Sequence, residues 1–166
     1  DHGRKPWAGM FQPGIKLATN GFAISGRMAA AIAGAANDLK RDPDAVAYFL
    51  NADGTPRALG STIKNPDYAT TLDAIAKGGA NAFYTGPIAQ SMVDKIKASQ
   101  GGPLSPVAIT PGLTTLADLA NYRAIRRTPV CTSYRNWWVC GMGPPSSGGI
   151  AVAQTLGILE TFDLAA

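Results

Sequence analysis

The sequence predicts an α+β chain, predominantly helical, with one β-hairpin near residues 126–142. Three observations carry this. Apolar residues recur at helical spacing in several segments that open on capping residues or prolines and close on glycine. Residues 126–142 turn to β-branched and aromatic types on either side of Arg135-Asn136. The stretch Pro144-Pro145-Ser146-Ser147-Gly148-Gly149 then separates the second strand from an apolar run over 150–164.

Residues 7–20 read as one helix or two short ones. Trp7, Phe11, Ile15 and Leu17 or Ala18 fall near helical spacing, Pro13 is a dividing point, and Asn20-Gly21 supplies the stop. Phe22, Ala23 and Ile24 make a short extended link, and Ser25 caps an alanine-rich helix carrying Met28 and Ile32 to about Lys40. The apolar run 46–50 is expected to be a short strand, ended by a turn in which Asp53-Gly54 accommodates positive φ.

Asn65-Pro66 starts the next helix, with Tyr68, Leu72, Ile75 and Ala76 on one face and Gly78-Gly79 as its end. A further helix is expected from about Pro87 to Ser99, ended by Gly101-Gly102. Residues 103–112 hold three prolines and no periodicity, which predicts a surface loop. Thr115 and Asp118 have the spacing of a capping box, with Asp in place of Glu, opening a short helix to about Tyr122.

Within the hairpin, a two-residue connection at Arg135-Asn136 sets Tyr134 opposite Trp137, Ser133 opposite Trp138, Thr132 opposite Val139 and Cys131 opposite Cys140. Counting outward from the turn puts the cysteines at a non-hydrogen-bonded pair, where opposed side chains come closest. A disulfide is then possible and favours an oxidising compartment; the other reading is two reduced, buried cysteines. Trp137 and Trp138 face opposite sides of the strand, so one is expected in the core.

The joint has two readings. Its prolines remove amide donors, its serines are capping types and its glycines permit close backbone approach. One reading is a nest of backbone amides able to hold a carboxylate at a helix N-terminus; the other is a capped helix packed tightly on a strand.

Composition excludes several functions. The net charge of +4 comes from scattered Lys and Arg, and the concentration Arg123, Arg126, Arg127 and Arg135 lacks interleaved aromatics, so it reads as a solvated basic face and not a nucleic-acid platform. No run is long enough to span a bilayer, and the first residues are not a signal peptide. The single histidine, His2, is read as exposed and idle, the cysteine spacing does not suit zinc, and no metal or other cofactor is expected. With only 16% charged residues, exposed apolar patches are expected, matched by chain beyond this segment. No internal repeat or domain-sized linker divides residues 1–166, read as a single partial domain.

Several segments, in one order along nearly the whole chain, resemble the large subunit of the γ-glutamyltranspeptidase family. They are Pro6-Trp7 with Ile15-Lys16-Leu17-Ala18 and Gly21-Phe22, and Asn65-Pro66 with Ala69-Thr70-Thr71-Leu72. Phe83-Tyr84-Thr85-Gly86-Pro87-Ile88-Ala89, Asp118-Leu119 with Tyr122, Arg127-Thr128-Pro129 and Tyr134-Arg135 follow. The last is Pro144-Pro145-Ser146-Ser147-Gly148-Gly149 with Ile158-Leu159-Glu160. Two departures stand out: residues 103–112 look inserted, and Asn136 occupies a position where glycine is common and the left-handed backbone is tolerated.

The resemblance implies the helical portion of an α/β/β/α N-terminal-nucleophile hydrolase, made as a precursor that cuts itself into two subunits. It implies that a threonine at the new N-terminus of the small subunit attacks a γ-glutamyl carbonyl, its own α-amine serving as base, and passes the group to water or an amine. The expected partners are that small subunit and a γ-glutamyl compound such as glutathione, in a periplasmic or extracellular setting. By the same resemblance the chain starts after the arginine that grips the substrate carboxylate and stops before the cleavage point. No catalytic residue is therefore assigned here, and the chain alone is expected to be inactive. Ser146 and Ser147 are not read as nucleophiles, since no Gly-x-Ser-x-Gly elbow or partner histidine accompanies them. The alternatives are a β-lactam (cephalosporin) acylase on the same scaffold and a non-catalytic helical binding module.

Overall fold

A computed structural model describes residues 3–98, 103–105 and 107–164. The expectations for His2, for a helix end at Ser99 and for a stop at Gly101-Gly102 lie outside the described residues. The chain divides into two compact units, Asp1–Tyr122 and Arg123–Ala166.

The first unit opens with a 3-10 turn, Ala8–Phe11, that runs into α1, Gln12–Asn20. Pro13 is the division the sequence suggests: it stands in the first turn of α1, where its missing N–H costs nothing. Gly21 (φ 87°) ends the helix and is required there, because a Cβ would stand 2.6 Å from Thr62 Cγ2 and 2.9 Å from Ile63 O. It leads into β1, Phe22–Ala23, which pairs antiparallel with β2, Thr62–Ile63.

Ser25 caps α2, Gly26–Gly34, its Oγ accepting from the Met28 amide at 3.2 Å. The single helix to Lys40 is in fact two, since α3, Ala36–Leu39, follows a break at Ala35 just after Gly34. The strand expected over 46–50 is helix α4, Pro43–Phe49; only Leu50 makes a bridge, to Pro56. Asp42 explains the difference. Its carboxylate accepts from the Asp44 and Ala45 amides while Pro43 occupies the first turn, so a complete start signal outweighs the β-leaning residues that follow.

Ile24, Ile32, Leu50 and Ile63 form the core of this unit, with Met28, Leu39, Val46 and Phe49 packed around it. Helix α5, Pro66–Gly78, is capped by Asn65 Oδ1 accepting from the Tyr68 amide at 2.9 Å. It packs on α1, and the buried Ala18, Ala69 and Ala76 permit close approach. Helices α6, Asn81–Tyr84, and α7, Gly86–Lys97, follow. The described part of 103–112 has no regular structure, and α8, Leu116–Asn121, opens on the expected capping box between Thr115 and Asp118.

The second unit is a hairpin and a helix. Strands β3, Val130–Tyr134, and β4, Trp137–Gly141, pair in the register read from the sequence, although the chain is not strand over 126–129. Cys131 and Cys140 are disulfide-bonded, with their Cα atoms 4.1 Å apart, near the spacing of a non-hydrogen-bonded pair. Neither tryptophan is in a core: Trp137 is 74% and Trp138 76% exposed in this chain. The left-handed turn residue is Arg135 (φ 54°) and not Asn136. Helix α9, Gly148–Leu159, packs on both strands. Among the described residues no helix is long and apolar enough to cross a membrane.

Candidate functional site

The joint between β4 and α9 is built on backbone contact. Gly141 and Gly149 cross so closely that a Cβ on Gly141 would stand 2.8 Å from Gly149 Cα, and one on Gly149 would collide with Met142 O. Any side chain at either position would force the helix off the strand. The Pro144-Pro145 peptide is cis, and the Ser146 amide donates to Gly143 O at 3.1 Å.

The serines divide the capping unequally. Ser147 is already helical (φ −78°, ψ −18°) and makes no side-chain cap; Ser146 Oγ accepts from the Gly148 amide at 3.3 Å instead. The Ser146 oxygen is thus engaged in holding the helix start. A cleft of ≈ 270 Å³ lies beside the joint, lined by Val139, Cys140, Gly141, Met142, Gly149 and Val152 among others. Its walls are mainly apolar and carry no acid–base pair, so the geometry matches a strand-to-helix joint more closely than a reaction centre.

Sequence reasoning missed the clamp at the other end of α9. Both Glu160 carboxylate oxygens accept from the Arg135 amide, at 2.9 and 3.2 Å, and the Arg135 guanidinium donates to Phe162 O at 2.6 Å. This holds the left-handed turn residue and corrects the reading of Arg135 as part of a merely solvated face. The signal was present, since Tyr134-Arg135 and Glu160 both belong to the segments that carry the family resemblance, but nothing in their spacing says that they meet.

Two further polar features lie in the first unit. Lys95 bridges Asp42, at 2.8 Å, and Asp44, tying α7 to the start of α4. The hydrogen bond from Lys95 holds the Asp42 carboxyl below its usual range, aided by the Ala45 and Asp44 amides and opposed by burial; Asp42, then Asp44, raise Lys95 in turn. Tyr84 stacks on Tyr122 (centroids 5.5 Å apart, planes at 18°) beside a recess of ≈ 300 Å³ that includes Thr85, Gly86 and Pro87. Among the described residues no three of His, Cys, Asp and Glu gather in a way that would hold a metal ion.

Comparison with solved structures gives the class first. The chain superposes on Helicobacter pylori γ-glutamyltranspeptidase with a TM-score of 0.83 and 33% identity, over 99% of this chain and 44% of that one. It has the fold of an α+β portion of an N-terminal-nucleophile hydrolase.

The family follows from the sequence match. The γ-glutamyltranspeptidase family model matches residues 1–166, and the chain belongs to that family. It is 37% identical over 162 residues to the acylase ACY 1 proenzyme of Pseudomonas sp. strain SE83, covering 98% of this chain and 27% of that protein. It is 32% identical over 163 residues to the glutathione hydrolase proenzyme of Escherichia coli K12, covering 98% and 26% respectively. The chain therefore spans about a quarter of the length of these curated relatives.

Proposed function

We propose that this chain is a structural segment of the large subunit of a γ-glutamyltranspeptidase, an enzyme that transfers or hydrolyses the γ-glutamyl group of glutathione and related compounds. The observation that carries the reading is the family match along the whole chain, joined to structural likeness over nearly all of it. The nucleophile is a threonine at the start of a small subunit cut from the same precursor, and the role of the present residues is to hold the scaffold around it. Engagement of Ser146 Oγ as a helix cap supports a scaffold role for the joint. The two units form one partial domain, completed by the remainder of the precursor. A disulfide between exposed cysteines fits a periplasmic or extracellular enzyme.

The 37% identity to an acylase favours a second reading, a β-lactam acylase on the same scaffold. The full-length protein containing this segment, assayed with a γ-glutamyl anilide with and without an acceptor dipeptide and with an acylated β-lactam, separates the two. A higher kcat/KM on the γ-glutamyl anilide is expected. Preference for the β-lactam would establish the acylase, and turnover of neither would leave a binding module.

A further inference from the structure

We propose that the Cys131–Cys140 bridge is a redox-sensitive staple that governs the head of α9 and the cleft beside it. The inference starts from where the bridge lies in the hairpin. The turn end of the hairpin is held twice, by the two-residue connection itself and by Glu160 on the Arg135 amide. The open end, Val130 opposite Gly141, has neither device. The bridge is one pair in from that end, and Gly141, the residue after Cys140, is the one that crosses Gly149.

A two-stranded ladder is only marginally stable in water without further support. Here one face has α9 and the other, with Cys131, Ser133, Trp138 and Cys140, is exposed. The bridge therefore adds a covalent closure near the open end, beside the glycine crossing, and its sulfurs lie on the face that is exposed in this chain. Exposed disulfides are the ones that thiols reduce readily. Cys140 and the Gly141 that follows it are both among the residues lining the cleft, so a change at the bridge is transmitted to that wall through the strand backbone.

The chemistry is thiol–disulfide exchange with an external thiol. Its thiolate attacks one bridge sulfur, forming a mixed disulfide and releasing the other cysteine as a thiolate, which takes a proton. A second thiol attacks the external sulfur of the mixed disulfide, giving an external disulfide and the second cysteine thiol. Two thiols are oxidised, and the bridge gains two electrons and two protons. The hairpin then frays from its open end, and the Gly141 to Gly149 contact loosens while the Glu160 clamp stays in place.

The test uses the full-length protein under native conditions, titrated with dithiothreitol and followed by alkylation with mass mapping and by hydrogen exchange. Both cysteines should become alkylated without denaturant. Amides at 130, 141–143 and 146–149 should then exchange at least about tenfold faster, those at 134–137 should change little, and the core strand residue Ile63 should not change. The Cys131→Ser, Cys140→Ser double variant should reproduce the reduced pattern and be insensitive to the reagent. A bridge that resists reduction until the protein is denatured would overturn the proposal. So would reduction that leaves exchange at the open end unchanged, or that speeds it equally along the hairpin. None of these readouts depends on enzymatic activity, so they stand apart from the test of the proposed function.

Discussion

In Asp1–Tyr122 four apolar side chains, Ile24, Ile32, Leu50 and Ile63, close a core from which water is excluded, each 4% exposed or less. In Arg123–Ala166 the large apolar side chains Trp137, Trp138, Ile150, Val152, Ile158 and Phe162 are all at least 40% exposed in this chain. What holds that second unit is backbone and covalent: a five-residue ladder, a glycine-on-glycine crossing, a disulfide and one carboxylate on a turn amide. The difference teaches that burial can define one part of a chain while stereochemistry defines another. The apolar surface expected from the sparse charge lies on both units and is densest for its length on the second, which has fewer elements to cover it.

The largest way to break the contrast is to cut the core. Ile24→Ala should cost about 2–5 kcal/mol in the full-length protein, read from the denaturation midpoint, because a fully buried side chain leaves a cavity that close-packed neighbours fill only in part. A loss below about 1 kcal/mol would mean that the first unit is not held by its core. Gly149→Ala attacks the second unit, where no side chain is buried among the described residues; the added methyl must displace α9 from Met142, and about 1–3 kcal/mol is expected. Gly34→Ala, where a Cβ meets nothing, is its control and should be neutral or slightly stabilising.

Smaller effects sharpen the picture of the first unit. Asn65→Ala removes the cap of α5 and should cost about 1 kcal/mol. Asp42→Asn keeps a good capping type but removes the charge facing Lys95; exposed ion pairs of this kind contribute about 0.2–1 kcal/mol. Its pH signature is more telling. The folded Asp42 carboxyl titrates below its ordinary value, so its contribution is complete above the unfolded pKa of about 3.9 and is lost as pH falls through the lower folded value. Lys95 is raised, so its share is complete below the unfolded pKa of about 10.4 and is lost as pH rises through the folded one. The variant should therefore show a flatter acid limb than the parent; identical acid limbs would mean that the pair does not contribute.

Local signals in the sequence were legible wherever a residue acts on its own neighbours. Ser25, Asn65 and Thr115 cap helices a few residues away, and the hairpin register follows by counting from a two-residue turn. The helix at Pro43–Phe49 is hidden in the sequence because 46–50 reads as a short apolar run before a turn, although the cap residues Asp42 and Pro43 stand in plain order. The break after Gly34 was likewise hidden in a run of alanines that individually favour helix. At the joint, the glycines were legible as a place of close approach, but Gly141 as the partner was not, since pairing across a strand-to-helix turn is tertiary. The same holds for Lys95 with Asp44, 51 residues apart, and for Glu160 with Arg135, 25 apart. The left-handed residue is Arg135 and not Asn136, against intrinsic preference, where the Glu160 carboxylate holds the amide.

The central claim is that these residues form a scaffold and that the acyl group is carried elsewhere. Acid-quenching the full-length protein during turnover of a γ-glutamyl substrate and mapping the labelled peptides tests it most directly. The γ-glutamyl adduct should sit on the threonine at the start of the small subunit, with none on residues 3–164. An adduct on Ser146 or Ser147 would contradict the account.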